Sequence, residues 1–99
     1  MRECWLQCDV SRGQFAEEFV IELRDFQNKL YSLFVSAECV DLDQDLDVVD
    51  SCQGRLRVEL LELKGNLALV RLPTTPLENG PTVTVNASHI QQHRAAEPA

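Results

Sequence analysis

The stretch "FAEEFVIELRDFQNKLYSLFV", residues 15–35, decides what kind of fold this chain adopts. Phe15, Phe19, Leu23, Phe26, Leu30 and Phe34 recur at spacings of three or four, the period of an amphipathic helix. The same letters also alternate. Phe19, Ile21 and Leu23 are interleaved with Glu18, Val20 and Glu22, the period of a half-buried strand. The runs "FVIEL" and "LYSLFV" are rich in β-branched and aromatic residues, "RDFQNK" between them offers polar turn chemistry, and the preceding "SRG" reads as a loop. A hairpin is therefore the expectation. Its alternative is a helix over residues 15–35, which would make the fold α+β.

The flanks point the same way. In "CWLQCDV" the alternation puts Cys4, Leu6, Cys8 and Val10 on one face and Trp5, Gln7 and Asp9 on the other. "RLRVELLEL" (55–63) sets Leu56, Val58 and Leu60 against Arg55, Arg57 and Glu59. A "KGN" turn and "LALVRLP" complete a second hairpin over residues 55–73. "TTPLENGP" is turn-rich, and "TVTVNAS" closes the pattern with Val83 and Val85 inward. No internal repeat is expected, because the two hairpins share little beyond pattern. The expected fold is all-β: about six strands in a small, strongly bent antiparallel sheet or barrel. In strand count and hairpin order it resembles an SH3-like barrel. Residues 1–90 are read as one small β domain, and 91–99 as a polar, flexible tail.

The chain has 99 residues, and its 44% hydrophobic and 25% charged content is that of a globular domain. No apolar run approaches the roughly 20 residues of a membrane helix, and the amino terminus lacks a secretion-signal pattern. A cytoplasmic location with no membrane partner follows as the expectation.

Net charge is −7, and it is concentrated. Between Glu38 and Asp50 stand Glu38, Asp41, Asp43, Asp45, Asp47 and Asp50, with no base among them. Asp41, Asp43, Asp45 and Asp47 match the first ligand positions of an EF-hand loop, but Leu46 falls where glycine is required and Cys52 where the bidentate glutamate belongs. The segment therefore reads as a solvated face, its apolar Val40, Leu42, Leu46 and Val48 anchoring it to the sheet. A divalent-ion module over 41–50 is the alternative. The bases are scattered, which disfavours nucleic acid; Arg55, Arg57 and Arg71 are the strip that an RNA-associated barrel would use.

No nucleotide-binding or nucleophile-elbow motif occurs. Cys4 and Cys8 read as small buried hydrophobes rather than zinc ligands, and His89 and His93 as surface residues. No cofactor is implied, and no enzyme. The expected function is a non-catalytic protein–protein interaction or accessory module. Its candidate contact residues are Trp5, Phe26, Tyr31, Asp43 and Asp45, and its expected partner is another protein with a basic surface. A second copy paired through an open sheet edge is a further expectation.

Overall fold

The computed structural model describes residues 2–14, 17–46, 48–76 and 80–92. Phe15, Asp47, Asn79, His93 and the rest of the tail lie outside the described residues. The chain forms β1 (Arg2–Arg12), β2 (Glu18–Arg24), β3 (Leu30–Ser36), β4 (Val40–Leu42), β5 (Ser51–Lys64), β6 (Leu67–Arg71), β7 (Thr82–Asn86) and β8 (Ile90–Gln92). Single 3-10 turns, Ala37–Cys39 and Ala87–His89, lead into β4 and β8. β8 carries the sheet two residues past the boundary expected at residue 90. No helix among the described residues is long and apolar enough to cross a membrane.

All pairings are antiparallel. A six-strand path, β3-β2-β1-β5-β6-β7, curls strongly into a half-barrel, with β4 added beside β5 and β8 beside β1. The all-β expectation and both hairpins hold. Residues 18–36 are β2 and β3 joined by a turn, so the helical alternative is discarded.

Asp25 explains why the hairpin wins. Its Oδ1 accepts hydrogen bonds from the backbone N–H groups of Gln27 and Lys29, both at 2.9 Å, and its Oδ2 accepts one from the Tyr31 hydroxyl at 3.1 Å. Asn28 takes the left-handed conformation the turn needs, at φ 68°. A local carboxylate that satisfies this many backbone donors competes directly with helical hydrogen bonding.

The structure corrects the expectation that the chain has no internal repeat. β1–β2–β3–turn–β4 and β5–β6–β7–turn–β8 are the same unit twice, with counterparts 50 residues apart in β1, β3, β4 and the 3-10 turns, and 49 apart in β2. Leu6 lies directly opposite its own counterpart, Leu56. The pairing of Leu6 with Ile90 is matched by that of Leu56 with Val40. The pairing of Ile21 with Leu33 is matched by that of Val70 with Val83. Even the bond from the Ala37 N–H to the Glu17 carbonyl has its twin, from Ala87 to Asn66.

An approximate two-fold axis thus passes between Leu6 and Leu56. Each unit sends its fourth strand to the other unit's first strand, so neither completes its sheet alone. The tip of each hairpin also reaches across: the Phe26 N–H donates to the Thr84 carbonyl at 2.9 Å, and Thr74 Oγ1 donates to the Phe34 carbonyl, counterpart of Thr84, at 2.8 Å.

The core sits inside the curl. Leu6, Val10, Ile21, Leu33, Leu56, Val70 and Val85 are fully buried, and Cys4 with them. Gly54 is needed where β4 crosses: a Cβ there would lie 2.6 Å from the Asp41 carbonyl oxygen.

Candidate protein-binding site

The β2–β3 hairpin carries an unusual outer face. Alternation turns Ile21, Leu23, Tyr31, Leu33 and Val35 inward. Outward, Val20 pairs with Phe34, Glu22 with Ser32, and Arg24 with Leu30. Phe34 is 46% exposed, Leu30 40%, and Phe26 at the turn 42%. Of the five exposed large hydrophobic residues among those described, these three fall within nine positions of one hairpin, the others being Val48 and Leu63. Leu30 and Phe34 stand on the same outward face of β3 with Ser32 between them, and exposed apolar side chains on one face make that face a candidate contact surface. Beside Phe34 an open groove of about 530 Å³ is lined by Arg12, Gly13, Gln14, Glu18, Val20 and Phe34.

The expected contact residues divide. Phe26 is exposed as anticipated. Tyr31 is not: it is 4% exposed, its ring in the core, its hydroxyl on Asp25 and the Lys29 ammonium 5.5 Å from its ring centre. Tyr31 falls at an inward position of β3, and that overrides any role as an exposed anchor. Trp5 is half-buried on the outer face, opposite Arg57 on one side and Gln91 on the other. Leu30 and Phe34 are outward positions of β3 that the candidate contact residues did not include, because their spacing from Phe26 also fits a helical stripe.

The acidic segment is tied down. Arg55 donates from Nε and Nη2 to Asp41 Oδ2 at 3.1 and 2.9 Å, and from Nη2 to Asp43 Oδ1 at 2.8 Å. Asp45 accepts the backbone N–H groups of Val48 and Val49 on its carbonyl, which folds the segment back on itself. Leu46 is buried, Val40 and Leu42 pack on the core, and Val49 joins them in place of Val48, which is 81% exposed. Among the described residues no three carboxylate, thiol or imidazole groups gather as a metal would require. Asp47 lies outside them.

The same contacts bear on the RNA alternative. Arg55 is engaged by Asp41 and Asp43, Arg71 by Glu59 at 3.1 Å, and Arg57 stands 4.0 Å from Glu3. Each arginine of the strip faces a carboxylate.

One cleft brings together groups that are distant in sequence. Gln7, Cys8, Asp9, Glu22 and His89 line an open cleft of about 160 Å³, where His89 is half-buried at the surface. Burial, reinforced by Asp9, pushes the Cys8 thiol up to about 12, the opposite of what a nucleophile needs. Burial raises the Cys4 thiol as well. In the second unit the equivalent cleft presents Arg57, Glu59, Arg71 and Glu3 in place of Gln7, Asp9, Glu22 and Gln53.

Asp25 gives the hairpin its rigidity. Desolvation pushes its carboxyl upward, but the hydrogen bonds from Lys29, Gln27 and Tyr31, with the Lys29 charge, outweigh this and hold it below the ordinary range. A strained or floppy tip would lose contact energy to ordering; this one is fixed in advance. Compared with known proteins, the chain matches no family model, no curated protein and no solved structure.

Proposed function

We propose that this small β domain is a non-catalytic protein-interaction module that docks a partner on the outer face of the β2–β3 hairpin. The observation that carries the reading is the cluster of Phe26, Leu30 and Phe34, exposed on a hairpin whose turn Asp25 locks. Aromatic side chains on a rigid support are the residues most often found to dominate binding energy. The four cysteines are free thiols, which suits a reducing compartment such as the cytoplasm.

The test is quantitative affinity capture with the wild-type chain beside a Leu30→Ser, Phe34→Ser variant whose amide spectrum confirms the fold. Proteins retained by the wild type and lost from the variant are the expected result. Identical protein sets from both baits would contradict the proposal.

A further inference from the structure

We infer that this chain associates with a second copy of itself by exchanging whole units: the first unit of one copy closes on the second unit of the other, and the reverse. The inference is independent of the hairpin face and starts from the ladder at the centre of the molecule. β1 and β5 pair over ten positions, from Arg2 with Leu60 to Ser11 with Ser51. That ladder is symmetric about Leu6 and Leu56. Under the 50-residue shift the pair Trp5 with Arg57 becomes the pair Arg55 with Gln7, so each unit meets the same backbone pattern it presents.

Each unit also leaves a seat open and carries the strand that fills the other's. Along the edge of β5 that faces away from β1, β6 of the same unit covers Glu59–Lys64, and Gly54–Leu56 is left to β4 of the first unit. Along the matching edge of β1, β2 covers Asp9–Arg12, and Cys4–Leu6 is left to β8 of the second unit. The ladder, the two seats and the bonds from Phe26 to Thr84 and from Thr74 to Phe34 all run between units. All of them form equally well when the two units belong to different copies.

Only the connection differs. One covalent link, residues 43–50, joins the units. In the closed chain the Asp43 N–H donates to the Gln53 carbonyl at 3.1 Å, and the N–H groups of Val48 and Val49 turn the segment back on Asp45. Opening that link gives up these few bonds and keeps every contact between units, which is the condition for domain swapping. Closure within one chain holds the second unit at a high effective concentration, of millimolar order for a short link. The monomer therefore prevails when dilute, and exchange grows as the chain concentration approaches that level.

The test mixes two full-length chains, each with one unit disabled. Ile21→Asp with Leu33→Asp sets two facing carboxylates in the core of the first unit, and Val70→Asp with Val83→Asp does the same in the second. Each chain alone should lose its amide dispersion. Refolded together, they should form an equimolar complex with dispersed signals from residues 18–36 of the V70D/V83D chain and 67–86 of the I21D/L33D chain. A mixture that keeps the two unfolded spectra at every concentration would overturn the inference. The wild type gives an independent readout. Refolded at millimolar concentration, it should yield a dimer whose amide shifts match those of the monomer outside residues 43–50. A dimer whose shifts change across an outer face, or a chain that stays monomeric, would overturn the inference as well.

Discussion

The first unit and the second are the same scaffold with different surfaces. Across the approximate two-fold axis Phe34 becomes Thr84 and Leu30 becomes Gly80, while Val20 becomes Leu69, so the two exposed large side chains of β3 have no apolar equivalents at the matching positions. The groove is one-sided too. β1 stops at Arg12 and yields to the loop at Gly13, whereas β5 continues to Lys64 and closes in a tight turn with Gly65 at φ 60°. At the seat where each unit receives the other's fourth strand, Asp41 meets Arg55 in one case and Gln91 meets Trp5 in the other. The two units share the inward positions that hold the core and differ at the outward ones, and on β3 of the first unit two of those outward positions are large and apolar.

The symmetry is most exposed to attack at the axis. Leu6→Ala and Leu56→Ala should each cost about 3–5 kcal/mol of stability by urea denaturation, as fully buried leucines do. Because the two side chains face one another, the double variant should depart from the sum of the singles. Widely different single costs would argue that the two units are not equivalent at their shared centre.

At the position matching Asp25 the second unit carries Thr74, so the carboxylate is not repeated there. Asp25→Ala should cost about 2–3 kcal/mol, since three donors lose a charged acceptor. The carboxyl is lowered in the folded state, so its contribution is present above the unfolded value of about 4 and is lost as pH falls through the folded one. The variant should accordingly show a shallower loss of stability on acidification, and an unchanged acid limb would remove Asp25 from this role.

Thiol chemistry sharpens the contrast between inward and outward positions. At mildly alkaline pH an aromatic disulfide reagent should modify Cys39 and Cys52 first, with Cys4 and Cys8 reacting only on unfolding. The Cys8 thiol is raised, so the folded state holds its proton longer, and stability should fall as pH rises from about 9 toward about 12. Early modification of Cys8 in the folded protein would contradict its burial.

The smallest effect belongs to the ion pairs. Arg55→Ala should cost about 0.5–1 kcal/mol, because Asp41 and Asp43 are half-exposed and solvent screens the contacts. That loss should shrink in high salt. Weakening β4 without any change in β8 would show that the two strand seats are held differently.

Much of the fold was legible. Alternation in "CWLQCDV", "RLRVEL" and "TVTV" marks inward residues that the structure buries. The hairpin was legible too, but only against a competing helical pattern. Phe26, Leu30 and Phe34 stand outward at apolar positions, and with Phe19 and Leu23 they imitate a helical stripe, so the residues that blur the fold are those that form the candidate site. β4 and β8, three residues each, carry too little pattern to be recognised. The repeat leaves one local trace, "VSAECV" against "VNASHI" 50 residues on, with valine, alanine and a β-branched residue in register. The partner of the aspartates, Arg55, follows from the pairing of β4 with β5, which composition alone does not reveal.

The central claim is that the outer face of the first unit binds and its two-fold counterpart does not. A photoreactive phenylalanine analogue placed at position 34 in one variant and at position 84 in another, each irradiated in cell extract, tests it directly. Discrete cross-linked adducts from position 34, absent from position 84, are the predicted result. Adducts of equal yield from both positions, or from position 84 alone, would contradict it.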